Sequence, residues 1–154
     1  VKDDFECGMF DKLESELIFA NVSFSEITRT YARFLLSLIE QGRLDSIASA
    51  PLHKLKTLLG DATFYRIIND ELLRKKLSSE LWGMEKRFRK DNVRLAELIR
   101  CVLFCYETEE RWEAEGAGDA TPIYLYYLIL KKVLPDVAEA FIHYFQGELL
   151  RKQE

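Results

Sequence analysis

Cys101 and Cys105 stand four residues apart. On a helix that spacing puts both thiols on one face, and two thiolates are half of a structural zinc site. The other half is missing. The remaining metal-ligating candidates of the soft class are Cys7, His53 and His143, all distant in sequence. A pair of small buried apolar side chains is the ordinary reading of such cysteines. A carboxylate two-metal bundle needs Glu-x-x-His on two helices, whereas Glu139 and His143 are four apart and the pattern is not repeated. Nucleophilic catalysis has no better footing. There is no G-x-S-x-G turn, and a Cys–His pair would have to be assembled across the chain. The seven glycines are scattered, and no Gly-Lys-Ser/Thr triplet offers a phosphate loop. The expectation is a non-enzymatic protein without metal or cofactor.

The charged residues are more informative. Between positions 66 and 100 lie ten bases against six acids, in a chain whose net charge is −4. At about 100° per residue, Leu73, Leu77, Leu81, Met84 and Phe88 form a narrow apolar seam. Lys75, Lys86, Arg89 and Lys90 fall broadly opposite it, and Trp82 lands among them. Together with Arg87 and Arg94 these residues make a candidate docking face. Trp82 is either a hot spot for a protein partner, a stacking platform for a nucleic-acid base between phosphate-binding cations, or an aromatic covered by a second layer of helices. A second charged stretch, Glu107, Glu109, Glu110, Glu113 and Glu115, reads as a solvated helix end with Arg111 paired to Glu107 and Glu115 at i, i+4 spacing. An acidic docking surface for a basic partner is the other reading.

The elements that must position these residues are helical. Gly and Pro are scarce, 7 and 3 in 154 residues. Sheets consume both in turns, so few long elements are expected. The 48% apolar content supports a packed core rather than disorder. Phe10, Leu13 and Leu17 recur at helical spacing and predict a first helix over residues 4–20. Ser23 and Glu26 form an S-x-x-E capping box, and the helix it opens closes at Gln41-Gly42, where Gly supports the left-handed conformation. "RLDSIASAPLHKLKTLLGD" reads as two short helices, with Pro51 in a first turn and Gly60 as a stop. From Thr63 onward the chain is helix-compatible, with a break near Asn69-Asp70. "NVRLAELIRCVLFCYETEERWEAE" reads as one long helix. "GAGDATP" is a loop, after which Thr121 caps a helix and Pro122 is its first residue.

That last segment begins "IYLYYLIL", eight apolar or aromatic residues before Lys131 and Lys132. A membrane span needs about 20, so a core helix is expected, with a kink or a tight break at Pro135. A helix apolar all round must be covered on all sides. One flank, Tyr124, Tyr126 and Tyr127, is a candidate self-interface, which would make the protein a homodimer.

The chain as a whole reads as an all-α, single-domain irregular or orthogonal bundle of six to eight helices over residues 1–154, with the C-terminal helices central. It starts at Val1 rather than Met, as a piece of a longer protein would. Three unpaired cysteines suit a reducing, intracellular compartment, cytoplasmic or nuclear. The expected function is a protein-interaction, adaptor or complex-subunit domain. The alternative is a nucleic-acid accessory protein binding through the basic 74–94 helix.

Overall fold

The computed structural model describes residues 2–47, 49–63, 69–115 and 121–150. The described residues contain no strand and form eight α-helices. They are α1 (Lys2–Phe19), α2 (Phe24–Glu40), α3 (Ser49–Thr63), α4 (Glu71–Phe88), α5 (Val93–Phe104), α6 (Glu109–Glu115), α7 (Ile123–Lys131) and α8 (Ala138–Phe145), with a closing π-helical turn at Gln146–Leu150. The most extensive pairings set α4 along α5 and α2 along α3. Helix α2 also meets α5 and α8, and α1 lies across α7 and α8. The result is the irregular all-α bundle that the sequence pattern predicts.

Local chemistry explains most boundaries. Ser23 accepts a hydrogen bond from the Glu26 backbone N–H at 3.2 Å, which caps α2. Gly42 follows the end of α2 with φ 76°, where a Cβ would meet the Asp45 carboxylate at 3.0 Å. Asp70 caps α4 by accepting from Leu73 N–H at 3.0 Å, so the break near Asn69-Asp70 is present. Asn92 caps α5 in the same way. Pro135 falls in the turn between α7 and α8, as expected.

Three boundaries differ from expectation. Residues 43–47 are turns, and α3 is one helix that runs through Gly60 for three further residues. Burial of Leu55, Leu58, Leu59 and Ala62 along one face outweighs the roughly 1 kcal/mol that glycine costs inside a helix. The long helix expected from Asn92 to Glu115 is two. It ends at Phe104, and α6 restarts after Thr108, whose Oγ1 accepts from Arg111 N–H at 3.2 Å. Between them Tyr106 turns inward and donates its hydroxyl to the Leu58 carbonyl at 2.6 Å. At α7, Thr121 does receive the Ile123 N–H, at 3.5 Å, but Pro122 occupies the capping position rather than the first helical one.

The core is aromatic and centred where the C-terminal helices cross α1 and α2. Phe141 lies 5.4 Å from Phe10, 5.5 Å from Phe34 and 4.5 Å from Phe145. Tyr126 stacks on Tyr31 at 4.3 Å and Tyr127 on Phe10 at 4.3 Å. Each such pair adds about 0.5–1.5 kcal/mol beyond its area burial. The buried Tyr31 hydroxyl donates to the Tyr126 carbonyl at 3.1 Å, satisfying a polar group that would otherwise be costly. No helix among the described residues is long and apolar enough to cross a membrane.

Candidate functional site

Helix α4 carries the basic segment, and its seam packs as the spacing predicts. Leu77, Leu81 and Met84 are buried, and Leu73 and Phe88 pack partly buried against the same core. The seam turns one side of α4 inward and leaves the other to solvent. Trp82 lies on the outer side and is 42% exposed. Among the described residues no second helical layer covers it. Lys75 and Lys86 are seven residues before and four after it, which places all three on one side of the helix. Both lysines are exposed. Lys75 reaches Glu71 only at 3.9 Å, and Lys86 forms no ion pair among the described residues.

The other predicted cations are held by the fold or lie off this face, and Arg89, which shares the side of Trp82 and is half exposed, is paired there with Glu85. Arg89 turns back to Glu85, donating from Nε to Oε1 at 2.9 Å and from Nη2 to Oε2. Arg94 joins three elements, donating to the Val133 carbonyl at 3.0 Å and to Ser46 Oγ at 3.3 Å. Arg87 stacks over Phe88 at 5.3 Å and lines a shallow groove against α3, with Ala50, Pro51 and Met84. Lys90 lies exposed just past the helix end. Arg66 lies outside the described residues. The seven-residue basic set is thus divided. Lys75, Trp82, Lys86 and Arg89 share the outer side, Lys90 lies just beyond it, and Arg89 and Arg94 are tied to groups of the fold.

Glu85 is the residue that sequence reasoning missed. Its side chain is fully buried, yet it sits just beneath the surface, because Arg89 and Arg100 cover it with side chains 50% and 36% exposed. Arg100 donates to Glu85 Oε1 at 3.0 Å and to Glu97 Oε1 at 3.1 Å, and Lys132 approaches Glu97 at 3.9 Å. A ladder of alternating charge therefore runs from α4 over α5 to the end of α7. The hydrogen bond from Arg89 holds the Glu85 carboxyl below its ordinary range, reinforced by Arg100 and opposed by desolvation. The i, i+4 spacing of Glu85 and Arg89 was visible. That Glu85 would be the inward member was not.

The tyrosines of α7 are corrected by the structure. Tyr126 and Tyr127 are buried within the chain, and Tyr124 is half-buried beside Phe10 at 5.7 Å. Their rings fill the core between α1, α2 and α8, so they do not form an exposed flank. The exposed apolar positions of α7 are Leu125 and Leu128. Helix α7 is therefore not covered on all sides.

Groups with reactive potential are quiet. Cys101 and Cys105 are buried, and the Cys105 thiol donates to the Cys101 carbonyl at 3.7 Å. Burial pushes the Cys101 thiol up to about 12 and Cys105 well above its ordinary value, so neither is a thiolate near neutrality. The described residues contain no cluster of three His, Cys, Asp or Glu side chains placed to hold a metal. A cavity of about 160 Å³ lies between α2, α4 and the α5–α6 turn, lined by Thr28, Arg29, Glu71, Arg74, Tyr106 and Glu107 among others. Arg74 is braced there by the Tyr106 carbonyl at 3.0 Å and by Glu71. In the acidic stretch, Glu107 and Arg111 pair at 3.3 Å, while the Glu115 side chain lies outside the described residues.

No protein-family model matches this chain, and no curated protein or solved structure matches it significantly.

Proposed function

We propose that this chain is a non-catalytic helical interaction domain that docks an acidic protein segment on the outer face of α4. The observation that carries the reading is Trp82. It is 42% exposed on a helix whose inner side is fully used. Tryptophan is among the side chains that dominate protein hot spots. Exposed Lys75 and Lys86 flank it, Lys75 held only by a 3.9 Å pair with Glu71, and they complement carboxylates. The groups that could track a phosphate backbone are fewer than the sequence suggests. Arg89 is paired with Glu85 and Arg94 with the Val133 carbonyl, which favours a protein partner over a nucleic acid. Adaptor and complex-subunit roles are the forms such a domain takes.

The test is a photoreactive residue at exposed Ser79, next to Trp82 on the helix surface, in native extract. Protein adducts are expected with the otherwise unchanged chain and should disappear with Trp82→Ala, whose melting temperature should stay near that of the parent. Adducts indifferent to Trp82→Ala would overturn the proposal. Adducts that are removed by nuclease, together with binding to mixed-sequence nucleic acid that weakens steeply with salt, would replace it with the nucleic-acid reading.

A further inference from the structure

Among the described residues the most exposed large apolar side chain, Phe19, lies on α1, and two others share that helix. Phe19 is 92% exposed, Phe5 70% and Ile18 51%. The inner face of α1 is complete without them, since Phe10, Leu13 and Leu17 are buried. The outer stripe runs Phe5, Gly8, Lys12, Ser15, Phe19, all exposed. Their spacing alternates three and four residues, the repeat that lets one helix lie along another. Gly8 is out of place in a helix interior, where it costs roughly 1 kcal/mol relative to alanine. No close contact among the described residues explains it: a Cβ there would meet no atom within 4 Å. Phe19 lies eleven residues further on, which is three turns and only about 20° around the helix.

We infer that α1 is a self-association surface whose occupant is α1 of a second copy of this chain, packed antiparallel about a two-fold axis. The register sets the Phe19 ring of one protomer over the gap at Gly8 of the other. Two-fold symmetry makes the contact twice. Lys12 then lies level with Ser15 of the other protomer, one residue from its Glu16, so each protomer contributes the cation for the other's carboxylate. Glu16 takes only one hydrogen bond in its own chain, from Gln146 at 3.4 Å, and a carboxylate has further lone pairs for Lys12. A parallel pairing would instead set Lys12 against Lys12 and Gly8 against Gly8, with no knob for the gap. This relocates self-association from the α7 tyrosines to α1, and it does not depend on the Trp82 face. A single pair of helices about 27 Å long makes a small interface, so the dimer should dissociate on dilution.

Sedimentation velocity across the micromolar to millimolar range tests association. The parent chain should shift from monomer to dimer, and Phe19→Ser should weaken the dimer by roughly tenfold or more. Geometry is tested by oxidation in a Cys7→Ser background. A Gly8→Cys chain mixed with a Phe19→Cys chain should give a disulfide-linked dimer, while neither chain alone should. Gly8 and Phe19 are exposed positions, so both variants retain the fold. A parent chain that stays monomeric throughout, a mixture that does not cross-link, or a Gly8→Cys chain that cross-links alone would each overturn the inference.

Discussion

Replacing Glu85 by glutamine tests the charge ladder most directly. The carboxylate accepts two hydrogen bonds from Arg89 and one from Arg100, and its side chain has no exposed surface. Glutamine keeps the shape but loses the charge and turns an N–H₂ toward a guanidinium. Breaking a fully buried pair costs about 3–5 kcal/mol, whereas an exposed pair is worth about 1 kcal/mol or less. Here the anion is buried and both cations are largely hydrated, so the cost lies between, at about 2–3 kcal/mol. For a chain of this size that lowers the melting temperature by roughly 5–10 °C. The pH dependence has a definite sign. The folded Glu85 carboxyl titrates below its unfolded counterpart, so its stabilisation is complete above the unfolded value of about 4.3 and is lost as pH falls through the lowered folded value. Thermal melts of parent and Glu85→Gln at a series of pH values measure both effects. Their difference should be flat near neutrality and shrink in acid. A difference under about 1 kcal/mol near neutrality would refute the burial argument. A difference that persists unchanged in strong acid would refute its attribution to charge.

Other positions yield simpler outcomes. Gly60→Ala should raise stability by up to about 1 kcal/mol, because Gly60 is inside α3 and an added Cβ meets nothing within 4 Å; destabilisation in denaturant melts would mean that Gly60 ends the helix instead. Native protein should react with a thiol reagent at Cys7 alone, since Cys7 is partly exposed while Cys101 and Cys105 are buried with raised thiols. Rapid reaction of all three thiols without denaturant would contradict that burial. Trp82→Ala should cost about 1 kcal/mol or less, against the 3–5 kcal/mol of a buried tryptophan, and a large loss in the same melts would return Trp82 to the core.

What could be read from the sequence was what is local. The Ser23 cap, the Gly42 turn and the Asp70 break depend on a few adjacent residues, and their chemistry is the same in any fold. The Leu77–Leu81–Met84 seam depends only on helical period. The α5–α6 break was partly legible. Thr108 followed by Glu109 and Glu110 is a helix-start pattern, with acids at the positive end of the dipole, but helix-compatible residues on both sides concealed it. The continuity of α3 was not legible, because the burial of Leu58, Leu59 and Ala62 that offsets Gly60 is a tertiary fact.

The same distinction decides how far the docking face could be read. A list of bases gives their spacing and not their obligations. Arg89, Arg94, Lys75 and Lys86 look equivalent in the chain, yet the first two are held by a buried carboxylate and a backbone carbonyl while the lysines have no such tether. The tyrosines fail in the opposite direction. Residues of interface type at 126 and 127 are consumed by stacking on Tyr31 and Phe10. Helix α1, whose outer stripe is broken by Gly8, Lys12 and Ser15, leaves Phe5 and Phe19 uncovered. Apolar content predicts which helices are buried only on average. The partner-facing residues are those left over after the core is filled, and they are found by subtraction from the packed structure.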